Sequence, residues 1–134
     1  MKKIYSLCLL GFITVNGCNT KREIPNTDIE VTRAFIKDIL ENNFKEATDF
    51  VLPEDTNDQY LSLFKKYFES KSKEELEQYK NADIVINEIN NINDSVTVVN
   101  YSNSYKKNEK NKVKVVRKNG QWLVDLKYTF PGNQ

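Results

Sequence analysis

The positions of hydrophobic residues change their period once along the chain, from the spacing of helices to the alternation of strands. Between Asp28 and Leu40 the apolar residues recur every three or four positions and fall on one side of a helix, with charged residues on the other. Thr27 and Glu30 stand three residues apart at the start of this stretch, as in a capping box. The pattern therefore predicts an amphipathic helix that begins near Asp28.

Three further segments keep the helical spacing. A short piece that starts at Phe44 ends before Pro53, because a proline disfavours helical conformation in the residue ahead of it. The next helix carries four aromatic side chains on its apolar face, namely Tyr60, Phe64, Tyr67 and Phe68. Ser72 and Glu75 form a second capping-box pattern, which predicts a short helix after them.

Strand-like alternation begins after Asp83. The apolar positions predict strands near residues 84–86, 96–101, 113–115 and 122–130. Asn119-Gly120 suits the tight type I′ turn of a hairpin, since both residue types tolerate positive φ. Helices followed by a meander of strands predict an α+β fold, in which N-terminal helices pack on a curved antiparallel sheet.

The start of the chain resembles a bacterial lipoprotein signal peptide. Two lysines precede an apolar run from Ile4 to Val15, and Val15-Asn16-Gly17 leads directly to Cys18. The run has twelve residues, whereas a permanent membrane span needs about 20. The resemblance implies that residues 1–17 are removed and that Cys18 receives thioether-linked diacylglycerol and palmitate, which makes it the membrane anchor.

This interpretation divides the chain into a signal peptide (1–17), a lipidated tether (18–27), one domain (28–131) and a tail (132–134). An ordinary secreted protein with a free thiol at Cys18 is the alternative. By the same resemblance, the residues after Cys18 favour a cell-envelope lipoprotein of the outer membrane that faces the periplasm. The mature chain keeps one cysteine, so it forms no internal disulfide.

The composition excludes most catalytic chemistry. The chain has no histidine, so it lacks the Ser-His-Asp and Cys-His systems and the usual metal ligand. With four glycines in all, no phosphate-binding glycine-rich loop appears. We therefore expect no metal, no cofactor and no enzyme activity.

Charge is divided unevenly along the chain. Residues 19–105 carry ten basic and seventeen acidic side chains, whereas residues 106–134 carry eight and two. Seven basic residues form a candidate face for an anionic partner: Lys106, Lys107, Lys110, Lys112, Lys114, Arg117 and Lys118. An envelope protein, an anionic polymer or lipid head groups would fit this face, whereas nucleic acid is not expected in the envelope. The alternative is that these lysines protect an exposed edge strand from aggregation.

Three segments resemble small bacterial envelope lipoproteins of the nuclear-transport-factor-2-like superfamily, which includes ketosteroid isomerase and polyketide cyclases. They are residues 40–47 (LENNFKEA), 51–54 (VLPE) and 119–126 (NGQWLVDL). The resemblance implies a cone-shaped α+β fold. The superfamily contains enzymes, binding modules and assembly domains, and homodimers are common in it, so the resemblance does not choose among these functions.

A cone of this kind suggests a pocket. Its candidate residues are Tyr60, Phe64, Tyr67, Tyr101, Trp122 and Asp38. An isomerase-like reaction would use Asp38 as the base and Tyr101 or Tyr105 as the hydrogen-bond donor. The alternative is that these aromatics fill the core and Asp38 is solvated or paired with Arg33 or Lys37.

Asp94-Ser95-Val96 also resembles an O-glycosylation motif, with Ser95 as the acceptor. Taken together, the sequence predicts a membrane-anchored envelope lipoprotein with a non-catalytic binding or assembly domain. Small apolar-ligand binding or isomerase-like activity in the pocket is the alternative.

Overall fold

A computed structural model describes residues 22–128 of the 134-residue chain. The described helices are α1 (Asp28–Leu40), α2 (Phe44–Ala47), α3 (Asp55–Glu69) and α4 (Lys73–Lys80). The strands are β1 (Ile84–Asn93), β2 (Val96–Asn103), β3 (Asn111–Lys118) and β4 (Gln121–Asp125). Short 3-10 helices lie at Thr48–Phe50 and Leu126–Tyr128. Because α1 contacts all four strands of the antiparallel sheet, the predicted α+β fold is confirmed.

Both predicted capping patterns start helices. The Thr27 hydroxyl accepts a hydrogen bond from the Glu30 amide at 3.2 Å and so caps α1. At α4 the capping box is complete, since the Glu75 amide donates to the Ser72 hydroxyl at 3.2 Å and the Ser72 amide donates to the Glu75 carboxylate at 3.0 Å. These bonds satisfy amides that have no partner within the helix.

The strands pair in the order β1-β2-β3-β4, which leaves the sheet open with β1 and β4 at its edges. The predicted hairpin turn is confirmed, because Asn119 and Gly120 both have positive φ, 51° and 78°, between β3 and β4. Strand β3, which carries most of the predicted basic face, pairs on both sides. The interpretation of its lysines as protection for an edge strand is therefore wrong.

The last strand is shorter than the alternation predicts. Strand β4 ends at Asp125 and the chain turns into a 3-10 helix. Buried Asn57 of α3 causes this departure, because its carbonyl oxygen accepts from the Leu126 amide at 3.0 Å. Its amide nitrogen also donates to the Leu52 carbonyl at 3.1 Å. The Asn57 side chain thus connects Leu52 and Leu126, and the Leu126 amide bonds to Asn57 and not to a neighbouring strand.

The most completely buried part of the core lies between α1, the 3-10 helix at residues 48–50 and strands β3 and β4. Its members are less than about one-tenth exposed, and the most completely buried are Val31, Phe35, Ile36, Phe50, Val113, Val115, Val124 and Leu126. We call this group the filled half.

Candidate functional site

A cavity of about 330 Å³ lies at the other end of the space between helices and sheet. Helices supply most of its wall, and the end of β2 with the loop into β3 supplies the rest. The lining residues are Ile39, Leu40, Leu63, Phe64, Tyr67, Phe68, Tyr79, Tyr101, Asn103, Glu109 and Asn111. The volume is at the low end of the range for small-molecule sites, about 300–1,000 Å³.

The structure brings only part of the predicted pocket together. Phe64, Tyr67 and Tyr101 line the cavity. Tyr60 is partly buried against the core, and Trp122 pairs with Arg117 in the β3–β4 ladder, and neither is among the described lining residues. The helical and strand periods that suggested all five aromatics predict which side of an element a residue lies on, but not whether its position along the element reaches the cavity.

Asp38 does not line the cavity. It is buried on another side of α1, where its carboxylate accepts a hydrogen bond from the Arg22 guanidinium at 2.7 Å. That guanidinium also lies 4.8 Å from the ring centroid of Phe50. The pairing with Arg33 or Lys37 considered from the sequence is therefore replaced by one with Arg22, a residue of the predicted tether. The assignment of Asp38 as a base inside the pocket is wrong, because its carboxylate lies in this ion pair and not on the cavity wall.

Tyr101 brings a hydroxyl to the cavity wall. Among residues 22–128 this hydroxyl has no hydrogen-bond partner. Burial raises the pKa of Tyr101 to about 12, so the phenol stays neutral over the physiological range. It is thus available to donate or accept a hydrogen bond.

The aromatic side chains around the cavity touch one another at their edges. Phe68 and Tyr79 have ring centroids 5.2 Å apart, and Tyr79 meets Tyr105 edge-on at 5.0 Å. Burial is the main reason that the pKa of Tyr79 is raised. The Lys71 ammonium lies over Tyr67, 4.1 Å from the ring centroid, and 5.4 Å from that of Tyr79. Two of the lining rings therefore already contact a cation.

Three polar wall residues were not found from the sequence. The Asn103 side-chain oxygen accepts from the Tyr105 and Lys106 amides at 3.1 and 2.8 Å, which shapes the loop after β2. The Asn111 side-chain nitrogen donates to the Glu109 carbonyl at 3.4 Å. In a chain rich in asparagine, neither period nor motif distinguishes these residues from other loop positions.

The predicted basic face is divided. Lys114 pairs with Asp125 at 3.6 Å and Lys118 pairs with Glu54 at 3.7 Å. Lys106 lies 5.0 Å from the ring centroid of Tyr105. The other four residues are exposed and have no ion pair within the described part of the chain: Lys107, Lys110, Lys112 and Arg117. The charge available to an anionic partner is therefore smaller than the sequence suggests.

Glu54 shows how part of that basic charge is used. It accepts a hydrogen bond from Lys127 and pairs with Lys118. Chiefly because of the bond from Lys127, the pKa of Glu54 lies below its usual value. These contacts connect the start of α3 with the hairpin and the C-terminal 3-10 helix.

The remaining predicted sites give less information. Ser95 is exposed in the β1–β2 turn, where its amide donates to the Asn93 side chain at 2.8 Å. Cys18 lies outside the described residues. None of the helices described between residues 22 and 128 has the length and hydropathy of a membrane span. In the same part of the chain, no three His, Cys, Asp or Glu side chains are placed to hold a metal ion together.

Comparison of the chain with protein-family models, with curated proteins and with solved structures finds no match.

Proposed function

We propose that the chain is a cell-envelope lipoprotein, exported and acylated at Cys18, whose domain binds a small, largely apolar ligand without transforming it. The finer fold assignment, a nuclear-transport-factor-2-like cone, belongs to the same proposal. The single observation that carries the binding function is the cavity with its aromatic and aliphatic wall. Concave sites with an apolar wall and a few polar groups are the usual form of small-molecule sites.

The positions of the acidic groups favour binding over catalysis. An isomerase-like reaction requires a carboxylate base inside an apolar cavity. Asp38 is engaged by Arg22 away from the cavity, and the wall carboxylate is that of Glu109, which belongs to an exposed loop residue. Tyr101 offers one hydrogen-bonding group, which is suited to orienting a ligand.

Mass spectrometry of the protein purified from bacterial membranes tests the anchor and the ligand together. We expect an acylated N-terminal peptide that begins at Cys18, and a Cys18→Ala variant that is not acylated. We also expect a small molecule that stays with the folded protein and is released on denaturation. An unmodified Cys18 would contradict the anchor without affecting the cavity.

Blocking the cavity tests the binding function directly. Leu63 lines the cavity and is 52% exposed, so Leu63→Trp would place a large ring at the opening without disturbing the buried core. We expect the affinity for an apolar fluorescent dye to fall about tenfold or more. Ile92→Trp is the matched control, because Ile92 is also exposed but lies on β1 and does not line the cavity. Equal dye binding by the two variants would refute the cavity as the site.

An anionic envelope partner is a second candidate, favoured by four exposed basic residues that have no ion pair among residues 22–128: Lys107, Lys110, Lys112 and Arg117. The two candidates differ in their response to salt. Binding through exposed lysines weakens as salt rises, whereas binding driven by apolar burial does not. A partner that is released from the membrane-bound protein by salt, with dye binding unchanged, would support the second candidate.

A further inference from the structure

The domain has two ends along the direction of its strands. Helix α1 runs along β2 in the same direction, because the Thr97 hydroxyl near the start of β2 donates to the Asp28 carboxylate at 2.6 Å. Near the other ends of both elements, Ile39 and Tyr101 share the cavity wall. The last turn of α1 and the β2–β3 loop therefore lie together, and we call this the cavity end. The β1–β2 and β3–β4 turns lie at the opposite end, since neighbouring strands are antiparallel.

The segment that leads to the proposed anchor is attached at the cavity end. Arg22 is bound to Asp38, in the last turn of α1, at 2.7 Å. From Cys18 to Arg22 the chain spans at most about 14 Å. That is shorter than the width of the domain, because about 100 residues form a body with a radius of gyration of about 13 Å. An acyl chain on Cys18 would thus keep the cavity end near the membrane and the opposite end away from it.

Basic residues are concentrated in the β2–β3 loop at this end. Four lysines and one glutamate lie between residues 106 and 112. Lys107, Lys110 and Lys112 are exposed and have no ion pair among residues 22–128. A cation close to an anionic lipid surface strengthens binding on the order of fivefold. The loop therefore carries charge that anionic head groups attract.

Acidic residues oppose this contact less in the loop than in the segment after α1. Glu109 is the acid of the loop, and it lies near Lys71. The pKa of Lys71 is raised, first by a hydrogen bond with the Tyr67 hydroxyl and in smaller part by Glu109. The segment after α1 carries two exposed acids and one exposed lysine: Glu46, Asp49 and Lys45. An anionic surface would thus attract the loop and repel that segment.

Exposed apolar surface borders the cavity beside the loop. Leu63 and Tyr67 line the cavity together with Glu109 and Asn111 of the loop side, and they are 52% and 53% exposed. Tyrosine is enriched where proteins meet the membrane interface, and leucine next to basic residues is typical of surfaces that lie in it. The cavity opening thus combines an apolar rim with a cationic border.

From these positions we infer that the β2–β3 loop docks on the anionic lipid surface that carries the anchor, with Leu63 and Tyr67 at the bilayer and the cavity open to it. This inference rests on the proposed function, since it uses the acyl anchor at Cys18 and names the partner of the exposed lysines. An apolar ligand would then enter the cavity from the lipid and not from water.

The test uses the full-length protein, purified from membranes and reconstituted into vesicles of lipids with brominated acyl chains, which quench tryptophan on contact. Leu63→Trp places a reporter at the cavity opening, and Tyr67→Trp places a second one there in case the first ring turns into the cavity. Ile92→Trp is the matched control, because Ile92 is 63% exposed at the end of β1 that leads to the opposite turn. All three variants keep Trp122, so the unaltered protein gives their common baseline.

On vesicles of mixed phosphatidylglycerol and phosphatidylcholine, we expect quenching above the baseline for the reporters at the opening and none for Ile92→Trp. Pure phosphatidylcholine should remove most of this added quenching, and so should the combined variant Lys107→Gln, Lys110→Gln and Lys112→Gln. Lys110→Gln alone should weaken it. Arg117→Gln should not, because Arg117 is an exposed residue without an ion pair in the described chain but lies beside the β3–β4 turn.

Equal quenching of Leu63→Trp and Ile92→Trp would overturn the orientation. Added quenching that persists on pure phosphatidylcholine and in the combined lysine variant would overturn the lipid contact, and would leave an anionic protein or polymer as the partner of the lysines. An unmodified Cys18 would remove the anchor, and the inference would fail with that part of the proposed function. Acylated protein without added quenching at either reporter would refute the inference alone, since dye binding tests the cavity separately.

Discussion

The two ends of the space between helices and sheet are occupied differently. In the filled half, Phe35, Phe50 and Leu126 are at most 2% exposed and pack against the valines of β3 and β4. Around the cavity, Tyr67 and Leu63 are more than half exposed, and the space they border is not filled by side chains of the described chain. The filled half therefore fixes the backbone on which the cavity is built.

Helix α3 shows that similar residues on one helical face can differ widely in exposure. Its apolar face holds four aromatics, of which Phe68 is 4% exposed and Tyr67 is 53% exposed. Both residues line the cavity, so adjacent positions on one helical face supply its buried inner wall and its exposed opening. Aromatic spacing alone does not separate these two environments, whereas exposure does.

The largest expected difference between the halves is in stability. Phe50→Ala should lower the free energy of unfolding by about 3–5 kcal/mol, because it opens a void in a fully buried site. Tyr67→Ala should cost about 1 kcal/mol, because half of that side chain is already in water. Urea denaturation measures both. Phe50→Leu serves if the alanine variant does not fold, and equal costs at the two positions would contradict the division into halves.

Much of the fold could be predicted because its signals are local. The capping residues Thr27 and Ser72 fix where two helices begin, and Asn119-Gly120 fixes the last hairpin, each through bonds or dihedral angles within a few residues. The end of β4 could not be predicted, because it depends on Asn57, which is 69 residues away along the chain. The alternative that the lysines of β3 protect an edge strand is wrong because β3 pairs with β2 on one side and with β4 on the other, as in the predicted meander.

The site was less predictable than the fold for the same reason. Phe64, Tyr67 and Tyr101 were named from their periods, but Asn103, Glu109 and Asn111 join them only because the β2–β3 loop folds back over the helices. Asp38 was assigned to the pocket from its angle on α1. Its actual partner, Arg22, precedes that helix and lies in a segment with no periodic pattern.

The Arg22–Asp38 pair extends the filled half to the segment ahead of α1. The Asp38 side chain is 5% exposed, so Arg22→Ala would leave a nearly buried carboxylate without its counter-ion. Because Arg22 itself is 40% exposed, we expect a moderate loss of about 1–2 kcal/mol in the free energy of unfolding. Arg33→Ala, on the exposed side of α1, is the control and should cost less than about 0.5 kcal/mol.

A double variant makes this prediction specific. In an Asp38→Asn background, Arg22→Ala should cost clearly less than in the unaltered chain, since the charge that needs Arg22 is gone. Equal costs in both backgrounds would show that Arg22 acts only through its contact with Phe50.

The Arg22–Asp38 pair also limits the distance between the domain and the proposed anchor, because a chain of four residues from Cys18 to Arg22 spans at most about 14 Å. An acylated Cys18 would thus hold the domain close to the membrane.

The smallest expected effect is at Tyr101, on the border between the halves. At neutral pH, Tyr101→Phe should change the free energy of unfolding by less than about 0.5 kcal/mol, because the hydroxyl has no hydrogen-bond partner in residues 22–128. At alkaline pH the free energy of unfolding of Tyr101→Phe should depend on pH less steeply than that of the unaltered chain. Burial raises the pKa of Tyr101 to about 12 from its usual value of 10.0, so between these values the unfolded chain loses this proton while the folded chain keeps it.

Stability therefore falls as pH rises through that interval, and Tyr101→Phe should make the fall shallower. Urea denaturation at several alkaline pH values measures the slope, with the exposed Tyr128→Phe as the matched control. An unchanged slope in Tyr101→Phe would mean that water reaches this phenol freely, so that Tyr101 belongs to the solvated cavity and not to the buried core. Filling the cavity with an apolar ligand should raise the pKa of Tyr101 further, because displacing water from the cavity removes the solvent that stabilises the ionised phenolate.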